Sequence, residues 1–266
     1  MTITYYSSTA LAKDVLSQIT EDERLEITRI FNQEAKIAER AQELAEKICS
    51  AGGHAIGNWL RSQGLPYTEL IFDIATTLKV EKAVSPKEIT SYGLSISEMD
   101  SRSFNKVVKA DIIQSWRAEL QAYVLHHEEE ILKKFLVDTY QRMSPEQKLE
   151  VDRKVQEIAA KLPGTSVKGL TTSAAILALA SVGGFAPYLL LSTAISTVTV
   201  GMAGFGVYTA ASSVLHALLG PVGWTAIGVG AVYKLGEPNQ QQCLKAVLAI
   251  SMLRSKLGHP TTRLIR

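Results

Sequence analysis

Between Lys168 and Lys234 the chain runs for 65 residues without an Asp, Glu, Lys or Arg, and only His216 within it titrates near neutrality. A helix that is apolar on every side is buried in a protein core or in lipid, so this block excludes an ordinary solvated surface for a quarter of the chain. Its breakers are Gly183–Gly184 with Pro187, then Gly201, then Gly220–Pro221. They divide it into Leu170–Val182, Phe185–Val200, Met202–Leu219 and Val222–Tyr233. Spanning a hydrocarbon layer takes about 20 apolar residues, with a lower limit near ~17, and only the middle two segments approach that length. Lysines flank both ends, and positive charge stays on the cytoplasmic side, so an inserted block crosses an even number of times. A two-helix hairpin satisfies this. Ala, Gly, Ser and Thr fill much of the block, and Gly201, Gly204, Gly206 and Ala210 give spacings at which helix backbones approach closely, within one chain or between copies in a homo-oligomer.

The charge on either side is uneven. Residues 169–266 hold six Lys or Arg against the single Glu237, a net +5, which leaves the first 168 residues at −3. A basic segment beside a long apolar one suits an anionic membrane surface; the plainer reading of a basic tail is a solvated end. Net charge over the whole chain is +2, and no Lys/Arg block interleaved with aromatics occurs, so a nucleic-acid partner is not expected. Cys49 and Cys243 are too few for a disulfide framework and read as reduced packing thiols on the cytoplasmic side. The opening MTITYYSSTALAKDVL lacks the basic start and long apolar run of a signal peptide.

Residues 1–162 read as amphipathic helices, with apolar side chains returning every three or four positions. Thr20 and Glu23 form a capping box ahead of Leu25, Ile27, Ile30 and Phe31. Ile37, Ala41, Leu44 and Ile48 stripe a helix ending at Gly52–Gly53. Residues 54–63 form a short helix, and Pro66 suits the first turn of another, striped by Tyr67, Leu70, Ile71, Ile74 and Leu78. From Glu81 to Ser101 the pattern lapses into a connector. Helical spacing resumes at Phe104 and runs to Tyr140, as one long helix or two. Ser144–Pro145 caps a further charged helix with Val151, Val155, Ile158 and Leu162 inward. Residues 239–257 return to an amphipathic helix with Asn239 as cap and Gly258 beyond its end. The fold class is all-α. A charged helical module (1–162) packs with a glycine- and alanine-rich apolar block (163–238), followed by a C-terminal helix and basic tail (239–266).

The stretch GGHAIGNWLRSQGLPYTELIFDIATTL (Gly52–Leu78), followed by ILKKFLVDTYQRMSPEQKLEV (Ile131–Val151), resembles the uncharacterised bacterial proteins of the YaaW family, which is grouped remotely with the ubiquinol-cytochrome c chaperones. The opening TALAKDVLSQITEDERLEITRIF looks like the helical module that precedes the same region in such proteins. The resemblance implies an all-α bacterial fold with no catalytic residues to carry over. Its chaperone connection implies a role in membrane-protein assembly.

Chemistry is sparse. His126–Glu130, HHEEE, is the one cluster of metal-type residues. The two-histidine spacing of a zinc helix is missing and no third ligand can be named, so no metal site is assigned and a solvated helix face is the plainer reading. His54, His216 and His259 are isolated. GMAGFG at Gly201–Gly206 lacks both the Lys–Ser/Thr and the preceding strand of a phosphate loop. No catalytic residue, cofactor or enzymatic activity is expected. The expected function is that of an amphitropic protein, cytoplasmic and associated with the inner face of a membrane. Phe185, Leu189, Leu190, Phe205, Tyr208, Leu215, Leu218 and Trp224 would meet lipid, with Lys234 at the headgroups. The alternative is a soluble adaptor or assembly chaperone for a membrane-protein client, with the block as core. Trp59 and Arg61 are the candidate partner contacts in either case.

Overall fold

The computed structural model describes residues 7–52, 65–81, 83–91, 94–100, 110–161, 167–182, 190 and 238–257. The fold is all-α. Helices α1 (Ser8–Gln18), α2 (Glu21–Phe31), α3 (Ala41–Ala51) and α4 (Tyr67–Thr77) come first. A two-stranded antiparallel ribbon, β1 (Thr90–Ser91) with β2 (Leu94–Ser95), and the single turn α5 (Ile96–Met99) follow. Then come α6 (Ala110–Arg142), α7 (Pro145–Lys161), α8 (Thr172–Val182) and α9 (Pro238–Lys256).

Helix starts follow local chemistry. Thr20 accepts the Glu23 amide while the Glu23 carboxylate reaches back to the Thr20 amide, so two orphan donors at the start of α2 are satisfied reciprocally. Ser95 and Glu98 repeat the device at α5. The end of α4 is less ordinary. The Lys79 amide donates to the Thr76 carbonyl and the Val80 amide to the Ala75 carbonyl, the pairing of a Schellman cap. Its left-handed position (φ 58°) holds Lys79 where glycine is usual.

Residues 110–142 form one helix of 33 residues, about 50 Å long at ~1.5 Å per residue. Leu120, Val124, Ile131, Leu132, Phe135 and Leu136 give it a continuous buried stripe. It is the spine of the fold: α4, α5, α8 and α9 all pack against it, and α1 touches it as well.

Helix α9 differs most from its expectation. Its sequence reads as amphipathic, yet from Cys243 to Ser255 every side chain but Lys245 is buried, and α1, α2, α3, α4 and α6 surround it. The helix begins at Pro238, so Asn239 lies in the first turn rather than at the cap. Two smaller departures are local. Ile37, expected to start the stripe of α3, precedes the helix and is 77% exposed. The connector from Glu81 to Ser101 carries the ribbon and α5 instead of being structureless. Both cysteines are free and buried, Thr9 lies beside Cys49, and burial pushes the Cys243 thiol up to about 12.

Candidate functional site

Helix α8 lies in the charge-free block and α9 follows its end, and both helices rest on α6. They are held by different means. Helix α8 buries the side chains of Ala175, Ile176, Leu179 and Ala180 against α6 and α7. Its other flank leaves Leu177 exposed, and Leu170, just ahead of the helix, is exposed too.

Helix α9 is pinned by ions. The Arg254 guanidinium donates to both Glu128 carboxylate oxygens, from Nε at 2.7 Å and Nη2 at 3.1 Å, and to the Leu11 carbonyl at 3.2 Å. The two side chains are 7% and 3% exposed. The Tyr67 hydroxyl donates to the same carboxylate at 2.9 Å. Burial, then the neighbouring Glu128 charge, holds the Tyr67 pKa well above the ordinary tyrosine value. One buried carboxylate thus ties together α4, α6 and α9, and through the Leu11 carbonyl α1. At the end of α9, Lys256 meets the almost fully buried Glu23 at 2.6 Å, and near its start the Gln242 amide donates to the Ile30 carbonyl. Arg254 and Lys256 belong by sequence to the basic C-terminal stretch expected at a solvated end or at headgroups; in the fold, buried Arg254 and partly buried Lys256 neutralise acids of the first module.

A second buried carboxylate is held by hydrogen-bond donors, with no cation bound to it among the described residues. Asp100 accepts the Ser8 amide at 2.7 Å, the Ser8 hydroxyl, and the Thr68 hydroxyl at 2.6 Å. Ser8 opens α1 and Thr68 lies in the first turn of α4, so the acid gathers two helix N-termini where dipoles favour negative charge. Burial nevertheless raises its pKa, outweighing these donors.

The HHEEE run is not a solvated face. His127 and Glu128 are buried, and Lys133 bonds Glu129 at 2.6 Å and Glu130 at 2.8 Å. Burial works against the Lys133 ammonium, but these bonds outweigh it and raise its pKa. His127 Nδ1 lies 2.9 Å from the Tyr123 carbonyl, which can only accept, so the proton sits there; Nε2 then accepts the Val84 amide at 3.2 Å. The Tyr123 hydroxyl donates to the Val84 carbonyl at 2.8 Å, and its ring stacks on the imidazole at 4.1 Å between centroids. Among the described residues no three His, Cys, Asp or Glu side chains converge to hold a metal ion.

Beside this run lies a cleft of about 390 Å³, lined by Lys79, Glu81, Glu130 and Lys133 around Val137 and Leu177. Lys133 and Lys134 are already bound to carboxylates, Lys134 to Asp138 at 2.6 Å. Of the charged lining, Glu130, Lys133 and Lys134 are thus already paired, beside the apolar Val80, Val137 and Leu177.

Leu190 is 3% exposed and belongs to the core. The other residues expected to meet lipid, Phe185, Leu189, Phe205, Tyr208, Leu215, Leu218, Trp224 and Lys234, and the candidate partner contacts Trp59 and Arg61, lie outside the described residues. Within those residues, no helix is long and apolar enough to cross a membrane. The partners of Glu128, Asp100 and His127 escaped sequence reading because each joins segments dozens of positions apart. The Ser95–Glu98 capping box was the local signal for α5.

No protein-family model matches the chain, and no solved structure matches it. It is 25% identical over 236 residues to a UPF0174 protein of Helicobacter pylori, across 87% of this chain and 76% of the relative. The chain is thus distantly similar to an uncharacterised bacterial protein over most of its length.

Proposed function

We propose that the chain is a non-enzymatic amphitropic protein, cytoplasmic, whose charge-free segment contacts or enters the inner face of a membrane while the helical bundle stays in water. The observation that carries the reading is that α8, in the first part of the segment, and α9, which follows its end, pack on the same helix α6. A long apolar excursion that leaves and returns to one body makes an even number of crossings, or none, as lysines at both its flanks require. Leu170 and Leu177, in the first part of the segment, are exposed on the bundle. Burial of the segment's Leu and Phe side chains, at roughly 25 cal/mol per Å² of apolar surface, supplies the driving force. Lys168 and Lys234 would sit among anionic headgroups.

A second reading has its own support. Leu190 lies in the core, which favours the segment as buried interior of a soluble adaptor or an assembly chaperone for a membrane-protein client. The likeness of Gly52–Leu78 and Ile131–Val151 to YaaW proteins and their chaperone kin points the same way.

Flotation of the purified full chain with vesicles of phosphatidylcholine and phosphatidylglycerol separates the two. Under the membrane reading the protein floats with the vesicles, and a Phe205→Asp/Leu215→Asp variant of unchanged helix content stays in the dense fraction. A wild-type chain that remains in the dense fraction as a soluble species overturns that reading in favour of the adaptor.

A further inference from the structure

The polar contacts of His127 have a purpose that the membrane reading does not use. Val84 is an exposed residue of the connector, yet both polar groups of its backbone are gripped by α6, the amide by His127 Nε2 and the carbonyl by the Tyr123 hydroxyl. The two ring nitrogens of His127 are fully used by backbone in the tautomer that carries its proton on Nδ1. A second proton has one place to go, Nε2, where it meets the Val84 amide donor head-on. Protonation therefore turns an acceptor–donor contact into a donor–donor clash, and it also places a charge on a buried side chain.

We propose that His127 and Tyr123 form an acid-released latch that holds the connector at Val84 against α6. The connector is continuous with Val80 and Glu81, which form one wall of the cleft; Val137 of α6 and Leu177 of α8 belong to its floor. Releasing Val84 frees that wall and uncovers the apolar floor beside the helix that leads into the charge-free segment.

The surroundings of the imidazole act on its charge in both directions. Burial lowers the His127 pKa below 6.5 and neighbouring His126 lowers it further, while its backbone contacts with Tyr123 and Val84 and the Glu130 charge pull the other way without restoring it. From α4, Glu69 and Asp73 face the Tyr123 hydroxyl, as does Glu88 of the connector. In α5 and beyond it, Glu98 is bound to Ser95, and Asp100 to Ser8 and Thr68. Helix α8 has no charged side chain, and Arg254 of α9 is bound to Glu128. Because the folded-state pKa is lowered, the unfolded chain binds more protons in the window below 6.5. The latch is thus fully formed above 6.5 and lost as pH falls through the folded value.

Amide hydrogen exchange of the full chain, expressed as protection factors so that intrinsic exchange rates cancel, reads the latch directly. As pH falls from about 7.5 through the His127 midpoint, located by NMR titration, the protection of the connector around Val84 falls by about tenfold, the loss of one part-buried hydrogen bond, while α9 keeps its protection. His127→Gln, whose amide both accepts and donates without titrating, holds the connector equally across that range. His126→Gln retains the wild-type response. An NMR titration of the wild-type imidazoles decides the matter even if His127→Gln does not fold: the latch requires a His127 midpoint below 6.5. Unchanged connector protection across this range, an equal fall in folded His127→Gln, or a midpoint at or above 6.5 overturns the proposal.

Discussion

Replacing Arg254 by Met tests whether α9 is truly the centre of the bundle. Methionine fills nearly the same volume but leaves the buried Glu128 carboxylate with the Tyr67 hydroxyl as its remaining donor among the described residues, and the Leu11 carbonyl without the Arg254 donor. Breaking a buried pair by removing one partner costs about 3–5 kcal/mol, against about 0–1 kcal/mol for an exposed pair. At 7% and 3% exposure the Arg254–Glu128 pair belongs to the first class. Adding Glu128→Gln to Arg254→Met removes the stranded charge while keeping an acceptor for Tyr67. The double variant is therefore expected to recover about 2 kcal/mol, the coupling of two directly bonded groups. Urea unfolding followed by far-UV ellipticity measures both, with the slope against urea checked for constancy. A cost below about 1 kcal/mol for Arg254→Met, or additive effects in the cycle, would mean that the pair is solvated and that α9 lies on the surface.

Three further outcomes follow from local geometry. A Cβ on Gly52 would lie 2.5 Å from Cδ1 of the buried Leu70, so Gly52→Ala should cost about 1–3 kcal/mol by overpacking; an unchanged melting temperature contradicts this. Lys79 occupies a left-handed backbone position, and Lys79→Gly should raise stability by about 1 kcal/mol, read as a higher melting temperature. Asp100 keeps its proton in the folded state to a pH above its ordinary 3.8, so the folded chain binds more protons in that window and stability falls as pH rises through the folded value. Unfolding curves at a series of acidic pH values should show this slope in the wild type and lose it in Asp100→Asn.

What the sequence made legible was local. The Thr20–Glu23 box, the stripe from Tyr67 to Leu78 and the Ser144–Pro145 boundary are each written within a few neighbouring residues, and the helices stand where they indicate. What it hid was pairing at a distance. Arg254 and Lys256 look like the polar face of an amphipathic helix because their partners, Glu128 and Glu23, stand 126 and 233 positions away. His127 and Glu128 look solvated for the same reason, since Val84, Tyr67 and Arg254 approach them only in the folded state. The left-handed end of α4 was illegible because Lys79 stands where the usual signal is glycine.

Contact of the charge-free segment (169–233) with lipid is the proposal on which the functional reading rests. Its most direct test is an environment-sensitive fluorophore on a single cysteine at Phe205→Cys, with Leu149→Cys on the 72%-exposed face of α7 as reference; the buried Cys49 and Cys243 are replaced by Ala. On addition of anionic vesicles, the account predicts a blue-shifted, brighter emission at 205 and none at 149. Emission at 205 that does not respond to lipid, at any vesicle concentration, contradicts it.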